Sequence, residues 1–333
     1  MNNNLNPEFF NTPELVPNRK GFGEGLLAAG EANANVVALC ADLTESTQIN
    51  LFADKFPERY VEVGVAEQNL VTVASGMAAM GRVPFCSSYA MFSPGRNWEQ
   101  IRTTIAYNDR KVVVVGSHAG VSVGPDGGTH QALEDIALMR ILPNMTVVVP
   151  CDIHEARRAT VALADNTLCR TPAYLRLARE KSPVITTVET PFVIGRSYQL
   201  YSSIHADIFS EGPTIIFIGC GPVIAEALHA AKQLDQTGHA VEVWNMHTVK
   251  PIDTDMLDAI SKRANLVVTI EEHQVAGGLG GAIAEYLAET HPVRMLRIGV
   301  QNRFGQSGTM VELYKEYGLD KESIVEKVLA VLR

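Results

Sequence analysis

The 333-residue sequence has no Cys-x-x-Cys pair, no cluster of lysines and arginines, and no apolar run long enough to span a bilayer. Each absence removes a class of protein. The five cysteines, Cys40, Cys86, Cys151, Cys169 and Cys220, are odd in number and widely scattered. They read as reduced, mostly buried thiols of a cytoplasmic protein, with neither a disulfide frame nor a zinc site. A formal net charge of −9 without a basic patch argues against nucleic acid as a partner. The missing apolar spans argue against a membrane, and Met1-Asn2-Asn3-Asn4-Leu5-Asn6 lacks the basic and apolar regions of a signal peptide. The glycine cluster Gly277-Gly278-Leu279-Gly280 lacks the Gly-x-Gly-x-x-Gly spacing of a dinucleotide site.

Apolar side chains are abundant, at 46% of residues, enough for two ordinary cores. Residues 1–18 are polar and punctuated by proline, which reads as an N-terminal arm. From there strands alternate with helices. Segments 36–40, 83–89, 111–116, 146–150 and 173–177 are apolar runs suited to strands of a parallel sheet buried on both faces. Helical patterns at 21–32, from Glu67 onward, at about 96–108 and at 154–164 separate them. The alternation weakens over 191–212, which reads as a linker with some strand in it. It resumes with strands at 214–218, 240–244, 266–270 and 294–298, interleaved with helices. The expectation is an α/β protein of two domains, 19–190 and 213–333, each a mostly parallel twisted sheet flanked by helices.

Two stretches carry chemistry. The first begins at Tyr60 as an extended segment and continues as a small-residue helix on which Leu70, Val73, Ala74, Met77 and Ala78 share one face. Glu67 stands at the junction. A carboxylate at a helix start is commonly a solvated cap. Flanked by small and apolar residues, it is also a candidate buried carboxylate, which must hold a proton or a partner that shares one. The second stretch, 116–131, leaves the C-terminal end of the clearest buried strand. It is rich in glycine, so its backbone can approach a ligand closely, and it carries His118, Asp126 and His130. Their spacing matches no zinc pattern. Tyr89 and Phe92 read as core aromatics or as a stacking pair. Asp42 and Ser46 follow the first strand at the end where open α/β sheets bind ligands, although Asp42 also suits a plain turn.

Gly64-Val65-Ala66-Glu67-Gln68-Asn69 and the helix after it resemble the pyrimidine-binding segment of the transketolase family of thiamine diphosphate enzymes. The resemblance runs across almost the whole chain and covers the second and third domains of that family. It implies that Glu67 hydrogen-bonds N1′ of the aminopyrimidine and promotes the thiamine diphosphate ylid. It implies that Phe92, paired with Tyr89, stacks on that ring and that Asp42 faces the cofactor. His118, Asp126 and His130 keep the family's spacing for a substrate channel. By resemblance His118 contacts the sugar phosphate or a hydroxyl, and Asp126 reads the donor's C2 hydroxyl. His130 moves protons at the C1 and C2 oxygens, a task that suits imidazole near its working pH. Arg19, Ser46 and Arg179 are implied contacts to substrate phosphate. Arg176, inside a strand, is an alternative clamp or a salt-bridge partner. Arg96 stands where the family often adds a third aromatic, as a compensating contact or an exposed side chain. Glu271-Glu272-His273, the glycine cluster and residues 303–308 resemble the family's third domain, where the implied role is structural.

The family holds the diphosphate through Mg²⁺ with a Gly-Asp-Gly motif, and this sequence has none. The resemblance therefore implies the C-terminal subunit of a split transketolase, moving a two-carbon ketol unit from a ketose phosphate to an aldose. It would need an N-terminal partner subunit carrying Gly-Asp-Gly and most of the Mg²⁺ site, assembled as α2β2. Alternatives are a 1-deoxyxylulose-5-phosphate synthase-like protein, a 2-oxo-acid dehydrogenase decarboxylase β subunit, and a transketolase for a sulfo- or branched ketose. A non-catalytic assembly paralogue is the alternative of another class. Retention of Glu67, Asp126 and both histidines speaks against it.

Overall fold

A computed structural model of the chain describes residues 4–204 and 214–333. Residues 1–3 of the arm and residues 205–213, which hold the linker's end at 212 and the second domain's start at 213, lie outside the described residues. In chain order the described strands are Leu15–Val16 (β1), Val36–Cys40 (β2), Tyr60–Glu62 (β3), Val83–Tyr89 (β4), Val113–Ser117 (β5), Thr146–Val148 (β6), Ala173–Arg176 (β7) and Ser182–Pro183 (β8). Then follow Tyr198–Ser202 (β9), Thr214–Gly219 (β10), Ala240–Asn245 (β11), Thr248–Lys250 (β12), Leu266–Gln274 (β13) and Met295–Val300 (β14).

Among the described residues these make a sheet of order β12-β6-β7-β5-β4-β2-β3, a second of order β14-β13-β10-β11-β9, and a short ribbon β1-β8. The first sheet is parallel from β3 to β6, and the helices between its strands cover both faces. That is why β2 and β5 are buried along their whole length. Their side chains alternate between two cores. Ala38, Val113 and Val115 join Phe22, Leu26 and Phe85 on one side, while Leu39 and Val114 join Leu70, Ile101 and Val147 on the other. Helix Asn18–Ala32 lies so close to helix Ile153–Ala164 that a Cβ on Gly21 or Gly25 would strike the carbonyl oxygens of Ile153 or Arg157. This contact fixes the helix that carries Arg19.

The two sheets are not separate along the chain. β12, which follows three strands of the second sheet, β9, β10 and β11, returns to pair antiparallel with β6 of the first. One apolar cluster runs from Leu39 and Val114 through Val147 to Ile218 and Leu257. The stretch 191–212 contributes β9, an antiparallel edge strand on β11. The described part of the arm is packed down: β1 pairs with β8, and Phe9 is fully buried in the second core with its ring 5.1 Å from His229. The helix expected at 96–108 is a short α turn, Trp98–Gln100, followed by a π-helical turn, Ile101–Ala106. There the Thr103 and Thr104 hydroxyls donate to the carbonyls of Glu99 and Gln100, at 3.0 and 2.6 Å.

Candidate active site

The carboxyl ends of β2, β4, β5 and β7 are adjacent in the first sheet, and the candidate residues gather there. Tyr89 ends β4, His118 follows β5, Arg179 lies just past β7, and Arg19 projects from the first turn of its helix.

His118 is the centre of this group. Its φ is +56°, a left-handed conformation that costs a non-glycine residue about 1–2 kcal/mol. The backbone is held there by Ala90 N–H donating to the Ser117 carbonyl at 2.7 Å and Ala119 N–H to the Leu177 carbonyl at 3.0 Å. The imidazole stacks on Tyr89 with centroids 3.8 Å apart. Arg19 Nη1 approaches Nε2 at 3.1 Å and also donates to the Ser46 carbonyl at 2.7 Å. Burial, then the charges of Arg19, Arg179 and His130, push the His118 pKa down to about 3. His118 is a neutral hydrogen-bonding group here. Burial also lowers the Arg19 pKa, but a guanidinium remains charged at neutral pH.

The other members complete a wall. Phe92 lies 6.4 Å from Tyr89 with nearly parallel rings, and His130 meets Phe92 edge-on at 5.5 Å. Arg179 Nη2 is 4.0 Å from Asp126 Oδ1, while its Nη1 donates to the Val123 carbonyl at 2.7 Å. Thus Arg19, Tyr89, Phe92, His118 and His130 form one set joined by bonds and ring contacts, which Ser46 joins through its carbonyl, while Arg179, paired with Asp126, acts on His118 through its charge.

Glu67 and Asp42 stand apart: among the described residues no hydrogen bond or ring contact joins either to the histidine set. Glu67 opens helix Glu67–Ala79 and is only 3% exposed. Its Oε2 is buried without a hydrogen-bond partner, an arrangement that costs about 1–3 kcal/mol. It lines a cavity of about 490 Å³ together with Val65, Gln68, Asn69, Arg96 and Gln100. Arg96 is exposed there. Asp42 is exposed with φ +59°, and its amide donates to Glu62 Oε1 at 2.8 Å.

Arg176 is not free to clamp a phosphate. Its Nε binds Asp135 Oδ2 at 2.8 Å, its Nη2 donates to the Glu272 carbonyl at 2.8 Å, and Tyr174 donates to the same Asp135 oxygen at 2.7 Å. Both charges are buried, so Arg176 is a structural ion-pair partner.

Two residues, Glu62 and Asn97, escape sequence reasoning. Glu62 Oε1 accepts the amides of both Asp42 and Gly64 and so fixes two turns; the clue is a carboxylate inside an alternating apolar run. Asn97 donates to the Glu67 carbonyl at 2.8 Å and to Ser93 Oγ at 3.1 Å. It has no local signature, because it acts across a turn. His273 accepts from Ala137 N–H at Nε2, 3.3 Å, and donates from Nδ1 to the Gln274 carbonyl at 2.6 Å. Glu271 accepts the amides of Leu279 and Gly280, at 2.7 and 2.9 Å, at the start of helix Leu279–Glu289. Both are structural contacts. Among the described residues no cluster of three His, Cys, Asp or Glu side chains is placed to hold a metal, and no helix is long and apolar enough to cross a membrane.

Residues 15–184 match the transketolase pyrimidine-binding domain and residues 205–324 the transketolase C-terminal domain. A Methanocaldococcus jannaschii protein provisionally named as a transketolase C-terminal section is 41% identical over 95% of this chain and 96% of its own length. The 6-deoxy-6-sulfo-D-fructose transketolase subunit of a Clostridium species is 36% identical over 92% of both chains. A solved structure described as a split-gene transketolase, in an inactive β4 tetramer, superposes with a TM-score of 0.84 at 38% identity, covering 96% of this chain and all of the other.

Proposed function

Because this chain belongs to the transketolase family, we propose that it is the C-terminal subunit of a split transketolase and supplies the pyrimidine half of a thiamine diphosphate site. The observation that carries this reading is Glu67 Oε2, a buried acceptor left without a partner at the edge of a cavity. A protonated ring nitrogen or a shared proton would satisfy it, so the residues present fit the aminopyrimidine of the cofactor. When bound, that cofactor supplies an activated carbon able to carry a two-carbon ketol unit.

In this reading Glu67 holds the proton shared with the ring, Tyr89 and Phe92 pack the ring's face, and Asp42 stands at the rim. Asp126 accepts from the donor's C2 hydroxyl, and His130 moves protons at the C1 and C2 oxygens. His118, neutral beside Arg19, offers hydrogen bonds to a phosphate or hydroxyl. Arg19, Ser46 and Arg179 bind substrate phosphate. Mg²⁺ and the diphosphate belong to an N-terminal partner subunit with a Gly-Asp-Gly motif, which this sequence lacks, in an α2β2 assembly. Five free, buried thiols support a reducing, cytoplasmic setting.

The test is formation of sedoheptulose 7-phosphate from xylulose 5-phosphate and ribose 5-phosphate with thiamine diphosphate and Mg²⁺. The chain is assayed alone and co-expressed with the neighbouring gene that encodes Gly-Asp-Gly. Turnover only in the pair is expected; turnover by the single chain would sink the split-site reading. The 36% identity to a sulfofructose transketolase subunit favours 6-deoxy-6-sulfofructose as the second donor to try. Consumption of pyruvate instead would point to the synthase or decarboxylase alternatives.

A further inference from the structure

The loop that carries His118, Asp126 and His130 is gripped from the second domain. Glu272, only 3% exposed, lies on β13 and accepts the Ser122 amide at Oε1 and the Tyr314 hydroxyl at Oε2, the latter at 3.1 Å. Gly120 makes room for it, since a Cβ there would collide with Oε1, and its φ of +88° suits glycine alone. The Glu272 carbonyl is held in turn by Arg176. At the far end of the loop, Gln131 Nε2 donates to Val121 O at 3.0 Å and, across the domain boundary, to Gln306 O at 2.9 Å. Gly128 rests against the Gly305 backbone, where a Cβ would come within 2.6 Å of its carbonyl oxygen.

We propose that Glu272 is a positioning residue of the transfer reaction: its buried carboxylate anchors the Gly120–Ser122 turn and thereby sets His118 and Asp126 at the substrate end of the site. The inference rests on the ketol-transfer function proposed above. It makes the second domain a working part of the pocket. Burial pushes the Glu272 carboxyl pKa up, while Arg176, the Ser122 amide and Tyr314 pull it back. A buried carboxylate is a poor means of stabilising a fold compared with apolar packing. What its directional bonds provide is a single loop shape.

The test uses the complex with the co-expressed Gly-Asp-Gly partner. Glu272→Ala should lower kcat for sedoheptulose 7-phosphate formation about a hundredfold, the loss expected from a displacement of roughly 1 Å. Affinity for thiamine diphosphate should stay within about threefold of the parent, which separates positioning from general damage. Hydrogen exchange should rise in peptides covering 117–131 and stay unchanged in those covering 36–40 and 215–219. Glu272→Gln keeps an oxygen for the Ser122 amide and should recover kcat to within about fivefold of the parent. The proposal is overturned by parental kcat in the alanine variant, by equal losses of kcat and cofactor affinity, or by a glutamine variant as slow as the alanine one. Should the alanine variant fail to assemble, the glutamine variant decides: near-parental kcat with a protected loop supports the role, and slow turnover or an exposed loop refutes it. Absence of ketol transfer in the parent complex would instead count against the proposed function. Loop exchange in the two variants would still read the hold of Glu272.

Discussion

Arg19 Nη1 lies 3.1 Å from His118 Nε2. A guanidinium has no acceptor, so Nε2 must accept, and the imidazole proton sits on Nδ1, 2.9 Å from Ser117 Oγ. The tautomer is thereby fixed by a neighbour 99 residues away in sequence.

The first prediction concerns pH. The folded His118 pKa, about 3, lies below its unfolded value, so on acidification the unfolded chain takes up this proton first. The contribution of neutral His118 is fully present above about pH 6.5 and is lost progressively as pH falls toward 3. NMR titration should find His118 still unprotonated at pH 5. Arg19→Met should raise its pKa, and an unperturbed titration of His118 in the folded chain would refute this.

Glu67 sets activity against stability. Glu67→Gln in the assembled enzyme should reduce ketol transfer by about 10³-fold, within the range for loss of a positioned proton donor or acceptor. The same change relieves a buried carboxylate oxygen without a partner, so chemical denaturation should show stability unchanged within about 1 kcal/mol or raised. A loss above about 2 kcal/mol would mark Glu67 as a structural residue.

Arg176 and Arg179, three residues apart, should behave oppositely. Arg176→Ala strands a buried Asp135 and should cost about 3–5 kcal/mol in urea unfolding. Arg179 is part-exposed, and Arg179→Ala should change stability by no more than about 0.5 kcal/mol. Its effect should fall on KM for the phosphorylated substrate, by at least about tenfold. Similar destabilisation by both would refute the division.

Phe9 tests the arm. Its ring is fully buried against His229, so Phe9→Ala should cost about 3–5 kcal/mol, although it lies in a polar segment. A midpoint shift too small for 1 kcal/mol would show that the arm is dispensable.

What could be read from the sequence depended on how local the cause was. Continuous apolar runs such as Val113–Val115 declare strands covered on both faces, and they were legible. So was the crowding of His118, Asp126 and His130 on one strand-end loop. Residues whose meaning depends on a distant partner were not. Arg176 needed Asp135 and Glu272, Glu62 needed Asp42, and Asn97 needed the Glu67 carbonyl. Proline and asparagine near the N-terminus masked Phe9, whose burial depends on side chains of the second core. The strand Thr248–Lys250 was hidden because three residues carry no periodicity.

That short strand has a consequence for gene architecture. Since Thr248–Lys250 closes the edge of the first sheet beyond Thr146–Val148, no single cut between the two sheets leaves both finished. A fragment ending near residue 184 would bare a row of unpaired amides and carbonyls, an invitation to edge-to-edge aggregation. Fission or shuffling of the coding sequence can therefore move these two domains only as a pair.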